Sequence, residues 1–373
     1  MSGKGSVSHY FPGANTPQGF YSLYDHIAAV SANKIFVIKG GPGVGKSTFM
    51  KKLAAELLDR GYDVEFHHCS ADNNSIDAIY IPAGDIALLD GTAPHVVDPK
   101  HPGAVDEIIN LGEFWNEAAM RAPENKAGVL KHTRGCNFRF KRANDCLKAA
   151  KAFLEEWQAY YAECLDTSAV ARVSEDLIAE ILPARLVGPG SARRLFASAI
   201  TYDGPKVVLD SLMDDLSHRY VISGEPGTGK AQIVGRIADA ALARGYSLDI
   251  FHCPMYPDRV DHIRIRELGV GVITSAWPHL YEPKDGDTVI DTAAFVDGAK
   301  LAGYAADIAA AKQSFFAAID REMHHLRLAK QTHDELEKQY VPHMNFGAIE
   351  ALRLATLERV LALIAERQTE AAD

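Results

Sequence analysis

The chain has 373 residues, with 39 lysines and arginines against 49 aspartates and glutamates, a formal net charge of -10 at pH 7. Apolar residues at 47% and charged residues at 24% are values of an ordinary folded protein, which excludes a disordered or collagenous chain; the length predicts about two domains. The acidic balance argues against broad binding to nucleic acid, which calls for a basic face. No apolar run approaches the roughly 18–20 residues that span a bilayer. The opening MSGKGSVSHYFPG has no apolar core of the signal-peptide kind. Cys69, Cys136, Cys146, Cys164 and Cys253 form no CxxC pair and read as reduced thiols, so a cytoplasmic location is expected.

In chain order, the run KIFVI (34–38) predicts a buried strand entering a glycine-rich loop. From Lys46 to Arg60, Phe49, Met50, Leu53, Leu57 and Leu58 fall on one face of a predicted helix, and Gly61 is placed to end it. Residues 63–67 predict a second strand and 86–89 a third, ending at Asp90, in a strand–helix–strand build. Residues 116–182 are rich in Ala, Leu, Glu and Lys at helical spacing and predict a helical hairpin, as do residues 298–367.

The whole pattern occurs twice. GGPGVGKST from Gly40 recurs as GEPGTGKAQ from Gly224, an offset of 184. RGYDVEFHHC from Arg60 recurs as RGYSLDIFHC from Arg244, and PHVVDPK from Pro94 as PHLYEPK from Pro278. Asp77 matches Asp261 at the same offset, and in the helical tails Ala150, Lys151 and Tyr161 match Ala329, Lys330 and Tyr340. Two copies joined by the Pro/Gly/Ser linker LVGPGS give domains 1–188 and 189–373.

The stretch Gly40, Gly41, Pro42, Gly43, Val44, Gly45, Lys46, Ser47, Thr48 fits G-x-x-x-x-G-K-[ST] in full. Glycines let backbone N–H groups curl round a phosphate, and the helix starting at Lys46 points its positive end there. Lys46 is the residue to reach the β and γ oxygens, and the Ser47 hydroxyl to ligate Mg²⁺. Asp90, ending an apolar run, is the carboxylate a buried strand delivers to the metal shell. Gly91 follows, where many vigorous ATPases place a glutamate, so a fast motor is not expected.

With these motifs the chain resembles the P-loop NTPase superfamily over the α/β core of each half. The larger pattern HHCSADNNSID, IALLDGTAPHVVDP and AVDEIINLGEFW resembles a family of bacterial tandem P-loop proteins. The resemblance implies an α/β fold of two tandem P-loop domains, each a parallel sheet flanked by helices with an appended helical hairpin. It implies ATP as the ligand.

Three further candidates stay open between chemistry and framework. Asp72, in CSADNN, sits where small-molecule kinases of this class hold a base, or is an Asp/Asn turn. Asp77 reads as framework. His95 is a candidate γ-phosphate sensor or water-orienting group, and recurs as His279. The His68-Cys69/His95 and His252-Cys253/His279 sets could be proposed for zinc, but their spacing is unlike a closed structural site. The acid-free stretch from Lys126 to Arg142, with Lys131, Arg134, Arg139 and Lys141, is a lid over phosphates, a patch for an anionic partner with Phe138 and Phe140 interleaved, or a solvated helix face. Arg193 and Arg194 read as an arginine finger in cis or as linker surface.

The second loop keeps Gly224, Gly227, Gly229 and Lys230, but Ala231 replaces Ser47, Thr274 replaces Asp90, and Glu225 replaces Gly41. A phosphate cradle without a metal seat is expected. The sequence therefore predicts an ATP- and Mg²⁺-binding protein with one slow hydrolytic site, catalysed around Lys46 and Asp90, and a regulatory second site. Its alternatives are a small-molecule kinase with Asp72 as base and a nucleotide-gated switch recruiting a protein partner. No membrane span and no broad nucleic-acid contact are expected.

Overall fold

The computed structural model describes residues 3–93, 96–184, 188 and 190–370. They form two compact units: Met1–Gly13, Ser22–Lys141 and His325–Asp373 make the first; Ala14–Tyr21 and Arg142–His324 make the second.

The first unit holds a six-stranded sheet in the order Val7–Tyr10, Val64–His68, Ile76–Ile81, Ile86–Asp90, Lys34–Lys39, Asp106–Asn110. Only Ile76–Ile81 runs antiparallel to its neighbours. Lys34–Lys39 lies between Ile86–Asp90 and the edge strand Asp106–Asn110, and its Phe36, Val37 and Ile38 are wholly buried, as in a strand covered on both faces. The helix Lys46–Asp59 packs Phe49, Met50, Leu53 and Leu57 onto that sheet. It stops where Gly61 takes φ +87°, and the Gly61 N–H donates to the Leu58 carbonyl at 2.9 Å.

The expected strands form at Val64–His68 and Ile86–Asp90, but the intervening Ile76–Ile81 had not been expected. Its run IDAIYI carries Asp77 inside an apolar segment and shows no clean alternation, because Asp77 and Ala78 are as buried as the isoleucines around them. This strand separates Val64–His68 from Ile86–Asp90.

The second unit repeats the sheet, in the order Ala192–Leu195, Leu248–Cys253, Tyr256–Ile265, Val270–Ser275, His218–Ser223, Thr288–Asp291. The registers agree: Ile38 lies opposite Asp90, and Ile222 lies opposite Thr274. The constant sequence offset is thus a structural equivalence.

The helices that close the cores come from the other half of the sequence. Phe346–Glu370 supplies Ile349, Leu357, Val360 and Ile364 to the core of the first unit, and Arg359 forks onto Glu107 at 2.7 and 2.6 Å. In the second unit Thr167–Ile181 supplies Val170, Leu177, Ile178 and Ile181 against Ile233, Val234 and Ile237. Within that unit residues 142–163 of the helix Pro123–Glu163 and residues 305–324 of the helix Ala305–Glu337 pack together, with Leu147, Ala150, Leu154 and Trp157 against Ala311, Phe315, Ala318 and Ile319. Among the described residues no helix is long and apolar enough to cross a membrane.

Candidate functional site

In the first unit the loop between the strand Lys34–Lys39 and the helix Lys46–Asp59 turns through Gly43 at φ +70° and Gly45 at φ +95°. A side chain at either would force a left-handed backbone at strain. Val44 is fully buried and anchors the loop, while Pro42 is half-buried and Thr48 exposed. The Lys46 ammonium donates to the Gly40 and Gly41 carbonyls, each at 2.9 Å, and stands 3.5 Å from an Asp90 oxygen. Loop lysine and strand-end carboxylate therefore meet at one place. The other Asp90 oxygen accepts the Thr92 N–H at 2.8 Å, and the Ser47 hydroxyl accepts the Ile76 N–H at 3.1 Å. Ser47 and Asp90 are hard oxygen donors of the kind Mg²⁺ takes, set at the helix start and the strand end that flank the loop.

Behind Asp90, Gly91 has no room for a side chain. A Cβ there would overlap Val37 Cγ1 and stand 2.9 Å from the Val97 carbonyl oxygen. Lys39 locks this segment, donating to the Gly91 and Val97 carbonyls at 2.8 and 2.7 Å and pairing with Asp98 at 3.0 Å.

Asp72 has the arrangement of a turn residue. One carboxylate oxygen accepts the Asn74 N–H at 2.9 Å and the other lies 3.3 Å from Lys330. His95 lies outside the described residues. His68 meets His9 at 2.9 Å, and Cys69 is buried. Its own burial, first, and then the Asp77 charge push the Tyr24 phenol pKa well up.

The loop is flanked by the end of the helix Ala305–Glu337 and the residues after it. A Cβ on Gly41 would come within 2.7 Å of the Tyr340 ring, and one on Gly43 within 3.0 Å of Glu337 Cβ. These contacts could have been suspected from the repeat, because Tyr340 and Tyr161 are matched positions of its two tails.

The second loop has the same build. Gly229 takes φ +87°, Lys230 donates to the Gly224 and Glu225 carbonyls at 2.7 and 2.6 Å, and Gly227 is packed on the Gln158 carbonyl. Gln158 stands at the same tail offset from Glu337 as Tyr161 from Tyr340. Ala231 and Thr274 occupy the places of Ser47 and Asp90, as the matched registers require. Lys312 lies 3.5 Å from Glu225 and offsets its charge.

Beside this loop lies a cavity of about 470 Å³ lined by Lys230, Thr274, Arg259, Asp261, Cys253 and His279 among others. Asp261 is fully buried and binds both Arg259 and His279. Those bonds outweigh the effect of burial and hold its carboxyl well below the usual range. Burial acts the other way on His279 and lowers it, but the hydrogen bond to Asp261 prevails and raises its pKa to about 9. Cys253, Asp261 and His279 bring possible ligand atoms within 4.8 Å of one another. His252 is not part of that cluster and contacts Arg194 at 3.3 Å. Arg259 is the residue that sequence reasoning missed; the signal was its place opposite Ser75, two residues before the matched aspartates.

The basic stretch lies along the helix Pro123–Glu163, with Lys126, Lys131, Arg134 and Lys141 exposed. Arg139 lies 5.6 Å from the Phe138 ring, and Arg142 pairs with Asp145 at 2.6 Å. Among the described residues, Lys126, Lys131, Arg134, Arg139 and Lys141 make no hydrogen bond or ion pair to the Gly40–Thr48 loop.

Residues 22–91 match the family model Novel STAND NTPase 3. The matched segment contains the first loop, Lys46, Ser47 and Asp90. No curated protein and no solved structure matches the chain. The match supports a nucleotide-binding NTPase.

Proposed function

We propose that the first unit binds ATP with Mg²⁺ and hydrolyses it slowly, and that the second loop is a site without metal-dependent turnover. The observation that carries this reading is the approach of Lys46 to Asp90, 3.5 Å apart at the mouth of a glycine loop. Lys46 would hold the β and γ oxygens, and Ser47 and Asp90 would hold the metal, which offsets phosphate charge when bound. The helix N-terminus adds its N–H groups to the same anion. Slow turnover follows from Gly91: the overlap with Val37 leaves no room for a carboxylate directly after Asp90.

The contacts of Glu337 and Tyr340 with Gly43 and Gly41 favour a second role for the same site. A phosphate that reshapes the loop shifts the packing of the helix end upon it, as a nucleotide-gated switch requires.

The test is ADP release by purified protein with ATP and Mg²⁺. Lys46→Ala abolishes release, whereas Lys230→Ala leaves at least about half of it. Equal loss in both folded variants would refute the asymmetry, and no release from the parent protein would refute hydrolysis.

A further inference from the structure

The second loop has lost oxygen ligands and gained a cation. Arg259 stands where the first half carries Ser75. Its Nε and Nη2 donate to the two Asp261 oxygens at 2.8 and 3.0 Å, and Nη2 also reaches Cys253 Sγ at 3.3 Å. The Tyr256 ring lies 4.7 Å from the guanidinium carbon. A bidentate carboxylate and an aromatic face fix the guanidinium plane. Among the described residues Nη1 has no hydrogen-bond partner.

Arg259 shares its cavity with Lys230, Gly227 and Gly229 of the loop. Thr274 lines the same space; it is 2% exposed and its hydroxyl has no hydrogen-bond partner. A buried hydroxyl left unpaired costs free energy and points to a polar group that would meet it. Trp277, Met255 and Leu154 supply an apolar part of the wall. The cluster of Cys253, Asp261 and His279 is already spent: Arg259 and His279 take both Asp261 oxygens, and Ser198 lies 2.6 Å from the other His279 nitrogen.

We propose that the second loop binds a nucleoside di- or triphosphate without a divalent cation, with the Arg259 guanidinium supplying the charge that Mg²⁺ would supply at the first. This rests on reading Gly224–Lys230 as a phosphate cradle, and not on hydrolysis at the first loop. Lys230 and Arg259 face one cavity, and burial together with Arg259 lowers the Lys230 pKa to about 8. An anion between them relieves that repulsion.

The experiment uses full-length protein carrying Lys46→Ala, so that only the second loop is read, and calorimetry with ATP, ADP, tripolyphosphate and adenosine in EDTA at pH 7. ATP and ADP bind at one site, and replacing EDTA by Mg²⁺ changes affinity by less than about threefold. Adding Arg259→Gln weakens binding about tenfold or more, as loss of a charge-assisted contact does. The pair Arg259→Gln with Asp261→Asn leaves no carboxylate without its arginine and still binds weakly. Tripolyphosphate competition supports the assignment to phosphates. Binding that needs Mg²⁺, binding unchanged by Arg259→Gln, or adenosine competing as well as ATP would each overturn the proposal. Because Lys46 is already removed, such failures leave the first-site reading standing.

Discussion

Tyr340 lies against Gly41 so closely that a Cβ on the glycine would meet the ring at 2.7 Å. The second loop solves the equivalent place with other residues. Glu225 stands where Gly41 would, and burial and the Glu225 charge together push the Tyr161 phenol pKa up. In both units a helix end has been fitted to the residue at this loop position. Gly41→Ala therefore displaces the ring or the loop, at a cost of about 1–3 kcal/mol for overpacking. Urea unfolding reads that loss, and nucleotide titration reads weaker binding by the same variant. Combining Gly41→Ala with Tyr340→Ala recovers part of the nucleotide affinity, because the obstruction has gone.

A chain of residues 1–188 lacks the helix Phe346–Glu370, whose Ile349, Leu357, Val360 and Ile364 lie in the core of the first unit. Burying each such side chain is worth roughly 1.5–3 kcal/mol, while whole domains are stable by only about 5–15 kcal/mol. The isolated first half is expected to show no cooperative thermal transition. A fragment of residues 325–373 added in trans restores one. A sharp transition in the half-chain alone would show that this helix is dispensable.

Gly91→Ala is expected to cost about 1–3 kcal/mol or more, because its Cβ overlaps Val37 in a close-packed strand layer. Gly91→Glu costs at least as much and does not create a faster ATPase. Parallel melting curves and ADP-release rates check both statements. A stable and faster Gly91→Glu protein would remove the structural account of the proposed slow turnover.

The second unit should lose stability with rising pH between 6.5 and 8. His279 has its pKa raised from 6.5 to about 9, so its contribution is fully present below pH 6.5 and is lost as pH rises through 9. His262, depressed by burial and then by the His279 charge, destabilises the fold only as pH falls below its unfolded value of 6.5. Lys230 acts in the opposite sense above about pH 8, where the unfolded chain binds the extra proton. Between those limits the loss is on the order of 1–2 kcal/mol. Urea titrations read by the fluorescence of Trp157 and Trp277 measure it, and His279→Gln flattens the slope. An equal slope in that variant would place the titration elsewhere.

The sequence by itself determined the duplication, the loop and the asymmetry between its copies. Glycines at the spacing G-x-x-x-x-G-K, and a strand-end Asp90 replaced by Thr274, are local signals, readable because backbone strain and side-chain chemistry act over a few residues. The helix from Lys46 and its stop at Gly61 were legible for the same reason. Ile76–Ile81 was not, since Asp77 interrupts its apolar run and burial on both faces leaves no alternation to show. What only the tertiary structure decided is which surfaces meet. The apolar faces of residues 167–181 and 346–370 carry no label for the core they cover, and the chain places each on the sheet built by the other half. Arg259 reads as one more charge until Asp261 fixes it beside Lys230. Burial and pairing give both their meaning, and those depend on residues distant in sequence that only the folded chain brings together.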